Sequence, residues 1–438
     1  MTVFSKLFLP IATLFCVFLV GESFAKEPPE KGDVTQSKID SSQQSDDTTD
    51  GNVVQSSQKL QQLGVDILNG AYTSCEYAIL RINDRKKNNS RITVEKYLRN
   101  QRVRTRYNAI INLETDLGTN LEGLNLSVLD FSGINLMNVQ FKGSDLRRCN
   151  FNGSYIYNTD FADTNLEGAS FIGAIISNTD FSHANLRNTD FSKVYAQQIN
   201  FFGADLSKSL CHAGIFENSN FDNTTLNGAN LSNADFSRSS FKNSRANYAQ
   251  FVNSILNSTD LSKAHWRHTN LESVDLHYAT MHDIELTHSI LFGADLAGAD
   301  LAGGNLDDVD AEVTNFSEVN LSGATIARTV LIKSYFKKAI LSKASFKICM
   351  INNSSFEEST MNEAEFSSTI LKGANFTRAD LRNAQFSRTS LKDADFSKAD
   401  LTKATISESN LSKADLTSAN IKGLRIVNSV LPEDFPED

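Results

Sequence analysis

From Leu121 to Leu431 an apolar residue returns at every fifth position without one insertion: Leu121, Leu126, Phe131, Leu136, Phe141, and so on to Leu416, Ile421, Ile426 and Leu431. Only Ala196, Cys211, Ala246 and Ala311 fall short of a large side chain in that series. A period of five matches neither the 3.6 of a helix nor the 2 of a strand, so both ordinary templates fail. The other positions follow the same beat. Two residues before each centre stands a small side chain (Ala374, Ala379, Ala384, Thr389, Ala394, Ala399, Ala404). One before is typically Asn or Asp, and two after is often Gly, Asn or Lys. A fixed period over more than three hundred residues predicts stacked repeats, each packing on its neighbours, and overrides the two or three globular domains that 438 residues would suggest.

The clearest copies are Ala294-Asp295-Leu296-Ala297-Gly298 and Ala374-Asn375-Phe376-Thr377-Arg378. The stretch resembles the pentapeptide-repeat family, whose signature is A-(D/N)-(L/F)-x-x. That resemblance implies an all-β solenoid, a right-handed quadrilateral β-helix with one pentapeptide per side and four per coil. The residues themselves support a coil of twenty. Phe141, Phe161, Phe181, Phe201, Phe221 and Phe241 form one column. Leu126 to Leu226 in steps of twenty form another, Phe131 to Phe191 a third, and Phe316 to Phe396 a fourth. Inside so narrow a lumen, opposite Phe sides alternating with Leu sides give the dense packing a core requires. The Phe pair is expected to change sides between about 246 and 316, where Ala246, Trp266, Met281 and Ala311 disturb the columns. Corners demand residues tolerant of positive φ, and proline is absent from 30 to 431, as a ladder at every level requires.

Upstream the pattern changes. Lys6, an apolar run from Leu7 to Val20 and Gly21-Glu22-Ser23-Phe24-Ala25 read as a signal peptide over 1–25 cut after Ala25. The chain is therefore expected to be exported, to the periplasm or beyond. Residues 26–52 are polar and read as a disordered linker. Residues 53–118 have helical spacing (Leu60, Leu63, Ile67) and form a small basic helical segment, with ten Lys/Arg against two acids between 81 and 110. The repeat occupies 119–433 and a tail 434–438. No apolar run in the mature chain is long enough to span a membrane, and mean hydropathy is −0.29. Four cysteines follow the cut, Cys75, Cys149, Cys211 and Cys349. The last three lie at levels too far apart to pair, and read as small buried hydrophobes.

Composition offers no nucleic-acid partner: the net charge is −10. No catalytic motif occurs, no cofactor is implied, and the carboxylates have no evident cleft to tune them, so the chain reads as no enzyme. Five of seven histidines lie between 265 and 288. His268, His288 and Asp308, twenty apart, are candidates for a metal, although a site ordinarily needs three or four convergent ligands. Charge is banded. Residues 268–327 hold eleven acids and no Lys or Arg, and Arg328, Lys333, Lys337, Lys338, Lys343 and Lys347 follow at once. Such bands are solvated faces, or a docking site for the basic segment 81–110 or a basic partner.

Two stripes break the rule of Asn or Asp before the centre. One runs Tyr155, Ile175, Tyr195, Ile215, with Tyr157 beside it. The other has Val330, Met350 and Ile370, flanked by Ile332. Adjacent outward apolar residues mark surfaces that bind a protein partner, or that the N-terminal segment covers. The last coil, with Ile421, Leu424, Ile426, Val427 and Leu431, needs a cover, either the tail folding back or a second copy meeting it end to end as a homodimer. An exported scaffold binding protein through its faces is the first expectation. The alternative comes from the resemblance: some pentapeptide-repeat proteins mimic B-DNA and inhibit or protect DNA gyrase. That needs a broadly acidic surface, whereas residues 328–425 carry sixteen basic and ten acidic side chains.

Overall fold

In each pentapeptide the centre and the residue two before it turn inward. Phe141, Ser144, Leu146, Cys149 and Phe151 are at most 1% exposed, while Lys142, Gly143, Arg147 and Arg148 between them face solvent. Buried hydroxyls at the small inward position find carbonyls: Ser144 Oγ donates to Leu121 O at 2.6 Å and Thr164 Oγ1 to Phe161 O at 2.6 Å. An unmet hydroxyl there would cost about 1–3 kcal/mol.

Backbone polarity is satisfied between coils. Phe141 N–H donates to Asp160 O at 2.7 Å, and Asp145 N–H to Leu124 O at 2.9 Å. Every bridge is parallel and joins a residue to the one twenty ahead, from Asn120 with Gln140 to Asn410 with Val430. At each corner a short turn closes, as where Ser144 N–H donates to Phe141 O at 2.9 Å. The residue two after the centre takes a left-handed conformation, Gly143 at φ +67°. Asn138, Asn158 and Asn178 suit that position, but Val128, Val313 and Ile348 (φ 60°, 58° and 58°) are β-branched residues held where such side chains rarely sit.

The computed structural model describes residues 120–435, and over them the chain is a parallel β-solenoid without a helix. The expected signal peptide, linker, basic helical segment and Cys75 lie outside the described residues. Numbering the four sides by their centres (one for 121 and 141, two for 126, three for 131, four for 136), two sides become regular sheets. On side four, β1 (Asn135–Met137), β2 (Tyr155–Tyr157), β3 (Ile175–Ser177) and β4 (Tyr195–Gln197) pair in that order. On the opposite side two run β5 (Asn305–Asp307), β6 (Thr325–Ala327), β7 (Ser345–Lys347), β8 (Glu365–Ser367), β9 (Gln385–Ser387), β10 (Thr405–Ser407) and β11 (Arg425–Val427).

The phenylalanine columns are stacks. Centroids of Phe141 and Phe161 lie 4.9 Å apart, Phe161 and Phe181 4.8 Å, and Phe356 and Phe376 5.1 Å. Across the lumen the opposite columns meet edge to face, Phe131 on Phe141 at 5.8 Å and 84°, the geometry that the ring quadrupole favours. The change of sides starts earlier than the expected 246. Phe216 and Phe236 already stand on side four beside Phe221 and Phe241 on side one, adjacent rather than opposite, and meet them at 5.9 Å and 5.5 Å. The small centres make room for this. Ala196 lies directly before Phe216 in its column, Cys211 precedes it along the chain, and Ala246 precedes Trp266 in theirs. In the later coils the rings return to opposite sides, four and two, as with Phe376 against Phe386 at 84°.

Cys149, Cys211 and Cys349 are buried inside the lumen. Burial pushes Cys211 up to about 12 and Cys349 to about 11, so neither is a nucleophile.

Candidate functional site

Side four of the early coils is built by β1–β4. The pleat sends Ile156, Ile176 and Ala196 inward and their neighbours outward, so Tyr155, Ile175 and Tyr195 stand directly above one another. Tyr155 is 52% exposed and Tyr157 48%, with Ile175 and Tyr195 also exposed. Ile215 continues the column through a bridge from Tyr195 but is half-buried. A ladder of side-chain amides edges this face. Asn158 Nδ2 donates to Asn138 Oδ1 at 2.7 Å, and Asn178 Nδ2 to Asn158 Oδ1 at 3.1 Å.

The second stripe lies on side three, where Ile290, Asp310, Val330, Met350, Ile370 and Ser390 are successive bridge partners. Met350 and Ile370 are exposed, whereas Val330 and Ile332, expected to be open, are half-buried. Coils a strand spacing apart shade one another's outward side chains, so an outward position is not a fully open one. Three residues that the scan of positions before the centre passed over extend the stripe. Ile290 and Phe292 flank the centre Leu291, and Ile348 occupies the corner before Met350, 62% exposed at φ +58°. Ile290 carried the same signal as Val330. Ile348 could have been found by looking for β-branched residues at the corner position. The stripe has polarity: Asp310 and Glu312 lie between its two parts, and Lys372 and Lys392 stand at the far end.

The acidic band is cross-linked mainly by histidines. His265 Nδ1 lies 2.9 Å from Glu285, His282 Nε2 2.7 Å from Asp300, His288 Nδ1 2.7 Å from Asp308, and His277 is paired with Asp275. Arg267 joins His265 at Glu285, 2.5 Å away, and the two hold that carboxyl below its ordinary range, His265 foremost. Arg328, the first cation of the basic band, reaches back to Asp307. At the adjoining corner Tyr248, His268 and His288 form a stack, each ring 4.7 Å from the next. Face-to-face rings direct their nitrogens sideways, so His268, His288 and Asp308 do not converge as ligands. Among the described residues no group of three or more His, Cys, Asp or Glu could hold a metal ion.

At the far end the tail does fold back in part. Pro432 is buried and Phe435 packs against the core, its N–H on Pro432 O at 3.3 Å. Val427, Val430 and Leu431 nevertheless remain exposed.

Three family models match the chain. One described as pentapeptide repeat region covers 144–213 and 327–396, an eight-copy pentapeptide-repeat model 118–153, 254–291, 294–331 and 394–431, and a nine-copy model 221–265. Among solved structures the chain is similar to HetL of the cyanobacterium Nostoc, a pentapeptide repeat protein involved in regulating heterocyst differentiation. Identity is 27% over 48% of this chain and 91% of that one, with a TM-score of 0.41. QnrB1, a plasmid-mediated fluoroquinolone resistance protein, is 18% identical over 52% of this chain and 90% of its own, with a TM-score of 0.22. A pentapeptide repeat protein of the Arabidopsis thaliana thylakoid lumen is 28% identical over 33% of this chain and 69% of that one, with a TM-score of 0.08. No curated protein matches the chain.

Proposed function

The chain belongs to the pentapeptide-repeat proteins, and from that premise we propose that it is a non-enzymatic scaffold that holds a protein partner against side three. The observation that carries this reading is Ile348. A β-branched residue in a left-handed corner strains the backbone, and a large apolar side chain left in water gains nothing for the solenoid. A partner's apolar surface accounts for both. Met350, Ile370, Ile290 and Phe292 enlarge the contact, while the acids Asp310 and Glu312 within the stripe and the bases Lys372 and Lys392 beyond Ile370 would fix the direction in which the partner lies.

Export completes the proposal: the segment from Lys6 to Ala25 supports secretion to the periplasm or outside the cell. The mass of the mature N-terminus tests it, and a chain that keeps residues 1–25 in the cytoplasm would sink it. DNA mimicry fits less well, because the acidic band gives way at once to a basic one from Arg328 onward.

A photo-crosslinking residue placed at Met350 or Ile370 in living cells tests the docking. We expect one discrete adduct from those positions and none from Ser387 on side two. A similar smear from all three would overturn it.

A further inference from the structure

The Tyr155 face differs in kind from side three. In the four segments that build it, 133–138, 153–158, 173–178 and 193–198, Lys193 is the one charged side chain. Its outward residues are Tyr155, Tyr157, Ile175, Tyr195, Gln197 and a few further uncharged groups such as Met137, on strands regular enough to form the continuous sheet β1–β4. A charged or ionic partner would leave its own charges unanswered there. The face is also small. Four coils at about 4.8 Å and one strand's width give an area on the order of 20 Å by 15 Å. The face therefore suits a narrow, uncharged ligand that lies along it.

The spacing narrows the choice further. Tyr155 and Tyr195 occupy one column two coils apart, roughly 9.6 Å at the usual strand separation. That is close to the disaccharide repeat of an extended β-1,4-linked glycan, in which every second sugar turns the same face to one side. The C–H face of a sugar ring is weakly positive and packs on the negative face of an aromatic ring. The Asn138–Asn158–Asn178 ladder runs parallel to the tyrosine column. Asn158 and Asn178 each spend one N–H on the ladder, and an amide has a second.

We propose that the β1–β4 face binds a neutral β-1,4-linked glycan along the solenoid axis, with sugar rings on Tyr155 and Tyr195 and hydroxyls on the asparagine ladder. This goes beyond the protein docking on side three and does not depend on it.

Native electrophoresis of the full chain through gels containing hydroxyethylcellulose tests the proposal, with glycogen as the α-linked control. Retardation in hydroxyethylcellulose and none in glycogen is expected. Tyr155→Ser with Tyr195→Ser should weaken the retardation roughly tenfold, two rings being lost. Tyr155→Phe with Tyr195→Phe keeps the rings and should retain most of it, and Met350→Ser should change nothing. Equal retardation by glycogen, no retardation in either gel, or a serine double variant that still binds as well as the unaltered chain would each overturn the assignment.

Discussion

The indole Nε1 of Trp266 donates to the hydroxyl of Ser244 at 2.9 Å inside the lumen. Trp266 is the one tryptophan of the chain and is fully buried, its ring 4.5 Å from Phe251 and 5.6 Å from Phe241. Ala246, one coil earlier in the same column, leaves the volume that the indole takes up. Ala246→Leu should therefore overpack the level and lower stability by about 1–3 kcal/mol. Ser244→Ala, which strands a buried N–H, should lose about as much. Thermal melts followed by circular dichroism would read both, and unchanged melting would refute the volume exchange.

Phe181 tests the inward column. It stacks on Phe161 at 4.8 Å and Phe201 at 5.2 Å, and meets Phe171 and Phe191 edge to face. Truncation to Ala should remove about 3–5 kcal/mol. A loss below about 1 kcal/mol would mean the lumen closes around the gap with ease.

Ile348 makes the opposite prediction. Ile348→Asn puts a residue tolerant of left-handed backbone into an exposed corner, and should raise stability by about 1 kcal/mol. The same variant should weaken crosslinking from Met350. A destabilised variant would show that Ile348 packs rather than waits for a partner.

The Glu285 carboxyl gives a pH signature. Held below its ordinary range by His265 and then Arg267, it binds fewer protons folded than unfolded. Its contribution is present above the unfolded carboxylate range, near pH 4, and is lost as pH falls through the lower folded value. Glu285→Gln should thus reduce stability at pH 7 and flatten the acid limb of the stability curve. An acid limb identical in both proteins would remove Glu285 from the account.

At the far end, Val427, Val430 and Leu431 stay exposed beyond the cover that Pro432 and Phe435 provide. A second copy of the chain would meet them. Light scattering should show mass rising with concentration in the unaltered chain and not in Leu431→Glu. A constant monomer mass would leave the tail as sufficient cover.

The solenoid was legible in the sequence because its rule is local. One apolar centre in five and one residue type per column already specify what points inward, and Phe141 stacks on Phe161 as the columns implied. Two things were less legible. The passage of the rings from side three to side four at Phe216 depends on how Ala196 and Cys211 share volume across levels, which no single column reveals. The openness of a stripe depends on shading by adjacent coils, which left Val330 and Ile332 half-buried while Ile348, at a corner, stands free. Ion pairs such as His282 with Asp300 join positions eighteen apart, diagonal to the columns, and a search along columns passes them by.

The unbroken ladder offset of twenty has a further consequence. The tyrosine face and the Met350 stripe are set at a fixed angle by nothing except the number of residues between them. Five extra residues in that interval would swing everything distal by a quarter turn and bring both stripes into line on one side. Twenty extra residues would leave the angle untouched and only lengthen the gap. Chain length, counted modulo twenty, is the protractor of this molecule, and whole-coil duplication is the one change of length that evolution could make without re-aiming what its faces hold.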